Sequence, residues 1–216
     1  MMLWISRLLG LRSASVGLDT TRIENEMMMA IDLETTGLDV RKDYILEAAT
    51  LPVINKKLLI CEAECVRIQS PGYNPHSAPI HGILHSEAET PEYIALEKIA
   101  SRLHSRWLIG HHVKFDYTIL KNRCRVHHIG FLPKGIIDTQ RMAVKLDTGT
   151  TDMTGISSKE YTLMALCKRF RIPMEDEHTA AGDTLATALL YVKLFSIFSD
   201  KKLLIPAEIV LHHAST

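Results

Sequence analysis

The chain has 216 residues, 46% of them hydrophobic and 23% charged, with 25 basic side chains balanced by 25 acidic ones. That length suits one domain with a substantial core, and the composition excludes a disordered, collagen-like or disulfide-dense chain. A formal net charge of zero means that any nucleic-acid surface must be local.

The opening MMLWISRLLGLRSASVGLD has an apolar run too short to span a bilayer, and Arg7 breaks it. Its hydrophobic residues precede the basic ones, the wrong order for a secretory signal. Leu3, Trp4, Leu8 and Leu11 share one helical face, so an amphipathic helix is expected. It would pack on its own domain or dock on a membrane surface or partner. We read residues 1–24 as an N-terminal extension, 25–199 as the domain and 200–216 as a C-terminal tail. Leu203, Leu204, Ile209 and Leu211 give that tail its own docking residues.

Residues 27–34, 44–54 and 57–68 read as strands, with a hairpin at Asn55-Lys56. Short connections favour antiparallel pairing among them. A Pro/Gly/His-rich loop follows, then a helix over 91–105 with Thr90 as N-cap and Pro91 at its first position. RWLIGHH (106–112) is a short buried strand before a helix at 114–124. KGIIDT (134–139) is another strand, followed by a helix at 139–146, a polar loop at 149–159 and a helix at 160–171. The last helix, 181–198, carries Leu185, Leu189, Val192 and Phe195 at helical spacing. This order predicts a three-layer α/β domain: a central mixed sheet of about five strands, the first three antiparallel, flanked by helices.

Cys61, Cys65, Cys124 and Cys167 form no CxxC pair, and Cys124 with His127 and His128 lacks a second ligand pair at zinc spacing. Unpaired thiols in a reducing cytosol are the expectation, and with them a cytoplasmic location.

Four acids stand at the edges of apolar elements. In MMMAIDLETTGLDV, Asp32 and Glu34 lie two residues apart on a strand and so point the same way. Two carboxylates side by side repel unless a cation sits between them, and hard oxygen ligands suit magnesium or manganese. Taken alone, the pair is equally a solvated strand end. Asp116 follows the 106–112 strand at the first turn of a helix, where it could simply complement the dipole. Asp183 opens the last helix, five residues after His178, with Ala180, Ala181 and Gly182 between them.

The patterns DxETTGL, GHxxxFD and HxAxxD, with HGI at 81–83 and DT at 138–139, resemble the motifs of the DEDD 3′–5′ exonucleases. The histidine in the third motif resembles the branch that includes the proofreading epsilon subunit of bacterial DNA polymerase III. The resemblance runs across residues 27–198. It implies a ribonuclease H-like fold, two divalent cations (Mg2+ or Mn2+) and removal of nucleoside 5′-monophosphates from 3′ ends. Asp32, Glu34, Asp116 and Asp183 match the metal-binding acids, and His178 matches the general base. An imidazole, with an ordinary pKa of about 6.5, can accept a proton from water near neutral pH. Thr35 would offer its backbone N–H to the terminal 3′-hydroxyl, Leu38 would wedge against the last base, and Gly37 would permit the turn between them. His81 and His111 match histidines lining the site. The second motif departs from the family at His112, where asparagine is usual. Asp138 reads as a cap on the helix that follows it.

Lys98, Arg102, Arg106, Lys114, Lys121, Arg123 and Arg125 cluster in sequence around the single acid Asp116. They form either a phosphate-binding surface or a solvated helix face. The expected substrate is the single-stranded or frayed 3′ end of DNA, in proofreading or repair. RNA 3′ ends remain an alternative, because the reading of the 2′-hydroxyl is not visible in sequence. So does a non-catalytic nucleic-acid-binding module, against which the retention of all four acids and His178 argues. The terminal segments leave open a DNA polymerase or other protein partner, and self-association.

Overall fold

The structure, a computed structural model, describes residues 13–70, 90–174 and 178–210. Its strands are β1 (Ser13–Leu18), β2 (Met28–Thr35), β3 (Ile45–Ile54), β4 (Lys57–Leu58), β5 (Glu64–Gln69), β6 (Thr90–Pro91), β7 (Trp107–Gly110), β8 (Gly135–Asp138) and β9 (Ile205–Val210). Its α-helices are α1 (Thr20–Ile23), α2 (Glu92–Leu103), α3 (Lys114–Val126), α4 (Thr139–Thr148), α5 (Leu163–Phe170) and α6 (Ala180–Asp200).

Alternation along β2 decides how the layers stack. Met28 and Ala30 join a core with Met142, Leu166, Leu190, Tyr191 and Leu194 on one face of the sheet. Met29, Ile31 and Leu33 join Leu96, Ile99, Ile119 and Leu120 on the other. A strand buried on both faces sits centrally. Accordingly β2 pairs antiparallel with β3 and parallel with β7. The sheet runs β1-β9-β8-β7-β2-β3-β5-β6, with β4 paired on β3. Helices α2 and α3 cover one face and α4, α5 and α6 the other. This is the three-layer, ribonuclease H-like arrangement expected, with nine strands among the described residues rather than about five.

The extra strands have physical reasons. Residues 13–18 and 205–210, read in sequence as parts of terminal extensions, pair from Ser13↔Val210 to Leu18↔Ile205 and complete one end of the sheet. SASVGL carries a single β-branched residue, so pairing rather than intrinsic propensity makes it a strand. The 57–68 strand is broken by a 3-10 turn at Ile60–Glu62. The Asn55-Lys56 hairpin is present, both residues having positive φ (50° and 61°), as a two-residue primed turn requires. Thr90 and Pro91 pair with Ile68 and Gln69, so α2 starts one residue later than predicted, with Pro91 at the cap position. The 160–171 helix is a 3-10 turn, Ser158–Tyr161, followed by α5. The amphipathic helix expected from Leu3 to Leu11 lies outside the described residues.

By length and hydropathy α6 would pass as a membrane span, yet it is the core helix, packed on β2, β3 and β7. Its buried residues include Ala188, Leu190, Tyr191, Leu194, Phe195 and Phe198, whereas Leu185 is 41% exposed. A helix apolar around most of its circumference has no unique stripe. Of the four residues at helical spacing, Phe195 is buried and Val192 packs against the core, while Leu185 faces outward.

Candidate active site

Asp32 and Glu34 continue the Met28–Ala30 face of β2, the face turned toward α6. There α6 begins: Thr179 caps it by accepting a hydrogen bond from the Gly182 N–H (3.1 Å), and Asp183 stands in its first turn. The small residues between them let the helix end approach the strand. Carboxylate oxygens of Asp32, Glu34 and Asp183 come within 4.8 Å of one another, the one such group among the described residues. Asp116 arrives from the other side of β2, in the first turn of α3 and only 6% exposed. The Leu33 backbone N–H stabilises its carboxylate, and its charge acts on Asp32. Spacing thus brings all four sequence-predicted acids to one end of the central strands.

Their proton affinities describe the field they create. Burial, then the charges of Asp116, Asp183, Glu34 and Glu47, holds the Asp32 carboxyl well above the ordinary range. Glu34 is raised to about 7 by burial, with Asp183 and Glu47 adding to it. Asp116 also rises to about 7, chiefly through burial. Clustered carboxyls that retain protons near neutral pH form a site short of positive charge. Their all-oxygen donor set fits a hard divalent cation.

Glu47 was not singled out by spacing, being a lone acid in the apolar run 45–54. It is 6% exposed and directly opposite Glu34 in the β2–β3 register. The same reasoning that isolates Asp32, an acid inside a buried strand, would have found it.

Beyond Glu34 the register shifts between Glu34 and Thr35, an irregularity of the kind that re-aims side chains beside sites. The Thr35 hydroxyl donates to the Gly37 carbonyl (2.8 Å). Asp43 organises the loop, accepting from the Thr36 hydroxyl (2.9 Å) and the Asp39 N–H (2.7 Å). A Cβ at Gly37 would stand 2.7 Å from Asp43 Oδ2, so a larger residue there would displace the carboxylate that organises the loop. The loop displays Leu38, which is 86% exposed.

His178 is exposed and has a left-handed φ of 62°, two residues before α6. His111 turns inward: Nδ1 lies 2.9 Å from the Thr139 hydroxyl, and burial with the neighbouring His112 lowers its pKa to about 3. It is a neutral ring tying the end of β7 to the start of α4. His112, in place of the family's usual asparagine, sits at φ 57° with its Nε2 2.8 Å from Gln140 Nε2. Asp138 caps α4 as expected, accepting from the Gln140 N–H (2.9 Å). His81 lies outside the described residues.

The basic cluster is largely spent within the fold. Arg123 forms a two-pronged pair with Glu92 (2.7 Å each) and stacks over Tyr44. Arg102 binds the Thr50 hydroxyl and the Glu62 carbonyl, and Lys98 pairs with Glu64. Exposed Lys114 instead borders a cavity of about 840 Å³ with His112, Gln140, Arg141 and residues 150–154, beside β8, β9 and the start of α3.

Comparison with known proteins agrees with this geometry. A staphylococcal protein, the 3′-5′ exonuclease DinG of Staphylococcus haemolyticus, is 29% identical over 172 residues, 79% of this chain and 18% of that protein. The PolC-type DNA polymerase III of Latilactobacillus sakei is 25% identical over 175 residues, 80% of this chain and 11% of that one. The chain therefore spans less than a fifth of the length of these relatives. Among solved structures, E. coli Exonuclease I with a dT13 oligonucleotide superposes with a TM-score of 0.64 at 18% identity, covering 82% of this chain and 43% of that one. Exonuclease X with 5′ overhanging duplex DNA gives 0.57 at 22% identity, covering 79% and 92%. The family model described as an exonuclease, RNase_T, matches residues 29–191, from β2 into α6 and across every acid of the cluster. The chain belongs to the RNase_T exonuclease family.

Proposed function

We propose that this exonuclease domain removes nucleotides from the 3′ end of single-stranded or frayed DNA, using two divalent cations, Mg2+ or Mn2+. The observation that carries the reading is the convergence of Asp32, Glu34 and Asp183 within 4.8 Å, with Asp116 beside them. DNA is favoured because the relatives are named as a 3′-5′ exonuclease and a DNA polymerase, and two superposed structures hold DNA. Proofreading or repair is the corresponding role, and a DNA polymerase the corresponding partner. Four free cysteines suit a reducing cytoplasm.

Asp32, Glu34, Asp116 and Asp183 would hold the cations. When bound, these lower the proton affinity of water and neutralise charge on the phosphate being cleaved. The protein's own groups do the rest. His178, exposed beside the start of α6, takes the proton of the attacking water at an imidazole nitrogen. Thr35 orients the 3′-hydroxyl through its backbone N–H. Leu38 packs against the terminal base, which gives a fully displayed leucine a use. His81 and His111 frame the site, the latter by fixing the β7–α4 junction.

The decisive experiment follows a 3′-labelled single strand with Mg2+, beside its 5′-labelled twin and an RNA of the same sequence. Early release of labelled mononucleotide from the 3′-labelled DNA is the expected result. Release from the 5′ end first, or faster trimming of RNA, would overturn the reading. Leu38→Ala tests the base contact separately. Removing an exposed side chain should leave the melting temperature unchanged, while KM for single-stranded DNA rises roughly fivefold, about 1 kcal/mol of lost packing. An unchanged KM removes Leu38 from the substrate site.

A further inference from the structure

The Glu34–Glu47 pair is a cost without an evident return. Two acids directly opposite on one sheet face repel, and Glu47 is one of the most buried charged residues of the described chain. Its contacts show what it does. One oxygen lies 3.3 Å from Arg67 Nε, on the next strand and directly opposite in register. The other accepts the backbone N–H of Ala180 at 3.2 Å. Ala180 is the first residue of α6 and fully buried. Its N–H is one of the four that a helix leaves without an internal partner, at the positive end of the dipole. A second tether runs alongside, from the Thr184 hydroxyl to the Ala49 carbonyl (3.3 Å).

We propose that Glu47 is a positioning residue that clamps the start of α6 to β3. It thereby sets Asp183, three residues into the helix, against Asp32 and Glu34. Arg67 offsets its charge from the solvent side and leaves the second oxygen for the helix. The clamp also fixes the point from which His178 leaves the fold, two residues before Ala180. This inference rests on the metal reading of the carboxylate cluster.

The test measures Mn2+ binding by titration calorimetry, without substrate, for the parent, Glu47→Ala, Glu47→Gln and Ala180→Pro. Proline is tolerated at a helix's first position, where it removes the N–H. Loss of the clamp should weaken Mn2+ binding about tenfold in Glu47→Ala and in Ala180→Pro, the usual scale for residues that orient metal ligands. Glu47→Gln keeps an oxygen for the Ala180 N–H and should stay within about threefold of the parent. The Glu47→Ala/Ala180→Pro double variant should be no weaker than either single variant, because both remove one bond. Should Glu47→Ala fail to fold, Ala180→Pro against Glu47→Gln still decides. Parent-like binding by Ala180→Pro, or equal weakening by Glu47→Gln and Glu47→Ala, overturns the clamp. A parent that binds no Mn2+ overturns instead the metal reading beneath it.

Discussion

Asp32→Ala is expected to reduce nucleotide release at least about 10^3-fold, roughly 4 kcal/mol of transition-state stabilisation, while melting no lower than the parent in chelator. The two halves of that result share one cause. Asp32 feels the charges of Asp116, Asp183, Glu34 and Glu47, all of one sign. Asp32 would be one of the four carboxylates that hold the cations, so its loss would remove a ligand. Without cations it is a buried carboxyl facing four like charges, so its loss relieves the fold. Loss of a few carboxylate contacts offsets part of that relief. Metal should then discriminate between the proteins. At about 100 times the dissociation constant, cation binding stabilises the parent by about 2.7 kcal/mol. That raises the melting temperature of a domain this size by roughly 5–10 °C. The Asp32→Ala variant should show almost none of this rise. Undiminished cleavage, or an undiminished metal-induced rise, would remove Asp32 from the metal site.

Strand alternation made the Asp32 and Glu34 pair legible in sequence, because alternate positions of β2 share a face. Asp116 and Asp183 stood out as acids that directly follow or open an apolar element, and the resemblance to the DEDD motifs is what joined them to the pair. The fold class followed from the same periodicities. What stayed hidden depends on partners distant in sequence. Glu47 draws its meaning from Ala180, 133 positions away, and from Arg67 on the neighbouring strand. The edge strand β1 and its neighbour β9 become strands by pairing with each other across nearly the whole chain. Arg102 and Arg123 read as candidate phosphate ligands until Thr50, Glu62 and Glu92 claim them. Local pattern identifies a residue that does not suit its element. It cannot say which remote residue answers it.

Burial, with charge repulsion added to it, also sets the pH dependence of stability in the metal-free protein, and its sign is opposite to the usual one for paired carboxylates. A carboxyl whose folded pKa is raised binds its proton more tightly in the folded state. Its contribution is therefore present below the unfolded value and lost as pH rises through the folded value. For Glu34 and Asp116 that loss ends near pH 7, and Asp32 acts in the same direction. Between pH 6.5 and 8 Asp116 accounts for roughly 1 kcal/mol, and half-buried Glu34 for less because solvent screens it. His111 opposes them, since a ring with a lowered pKa gains stability as pH rises. Most of its effect falls below pH 6.5, so over this window it contributes less than about 0.5 kcal/mol. In chelator the melting temperature should therefore drop by roughly 3–5 °C from pH 6.5 to pH 8. Saturating Mg2+ or Mn2+ should abolish or reverse the drop, because cations replace the protons that the carboxyls give up. The Asp32→Ala variant should show a shallower drop in chelator. A melting temperature that climbs between pH 6.5 and 8 without metal would mean that the carboxylates are already compensated within the protein, leaving the cations no repulsion to relieve.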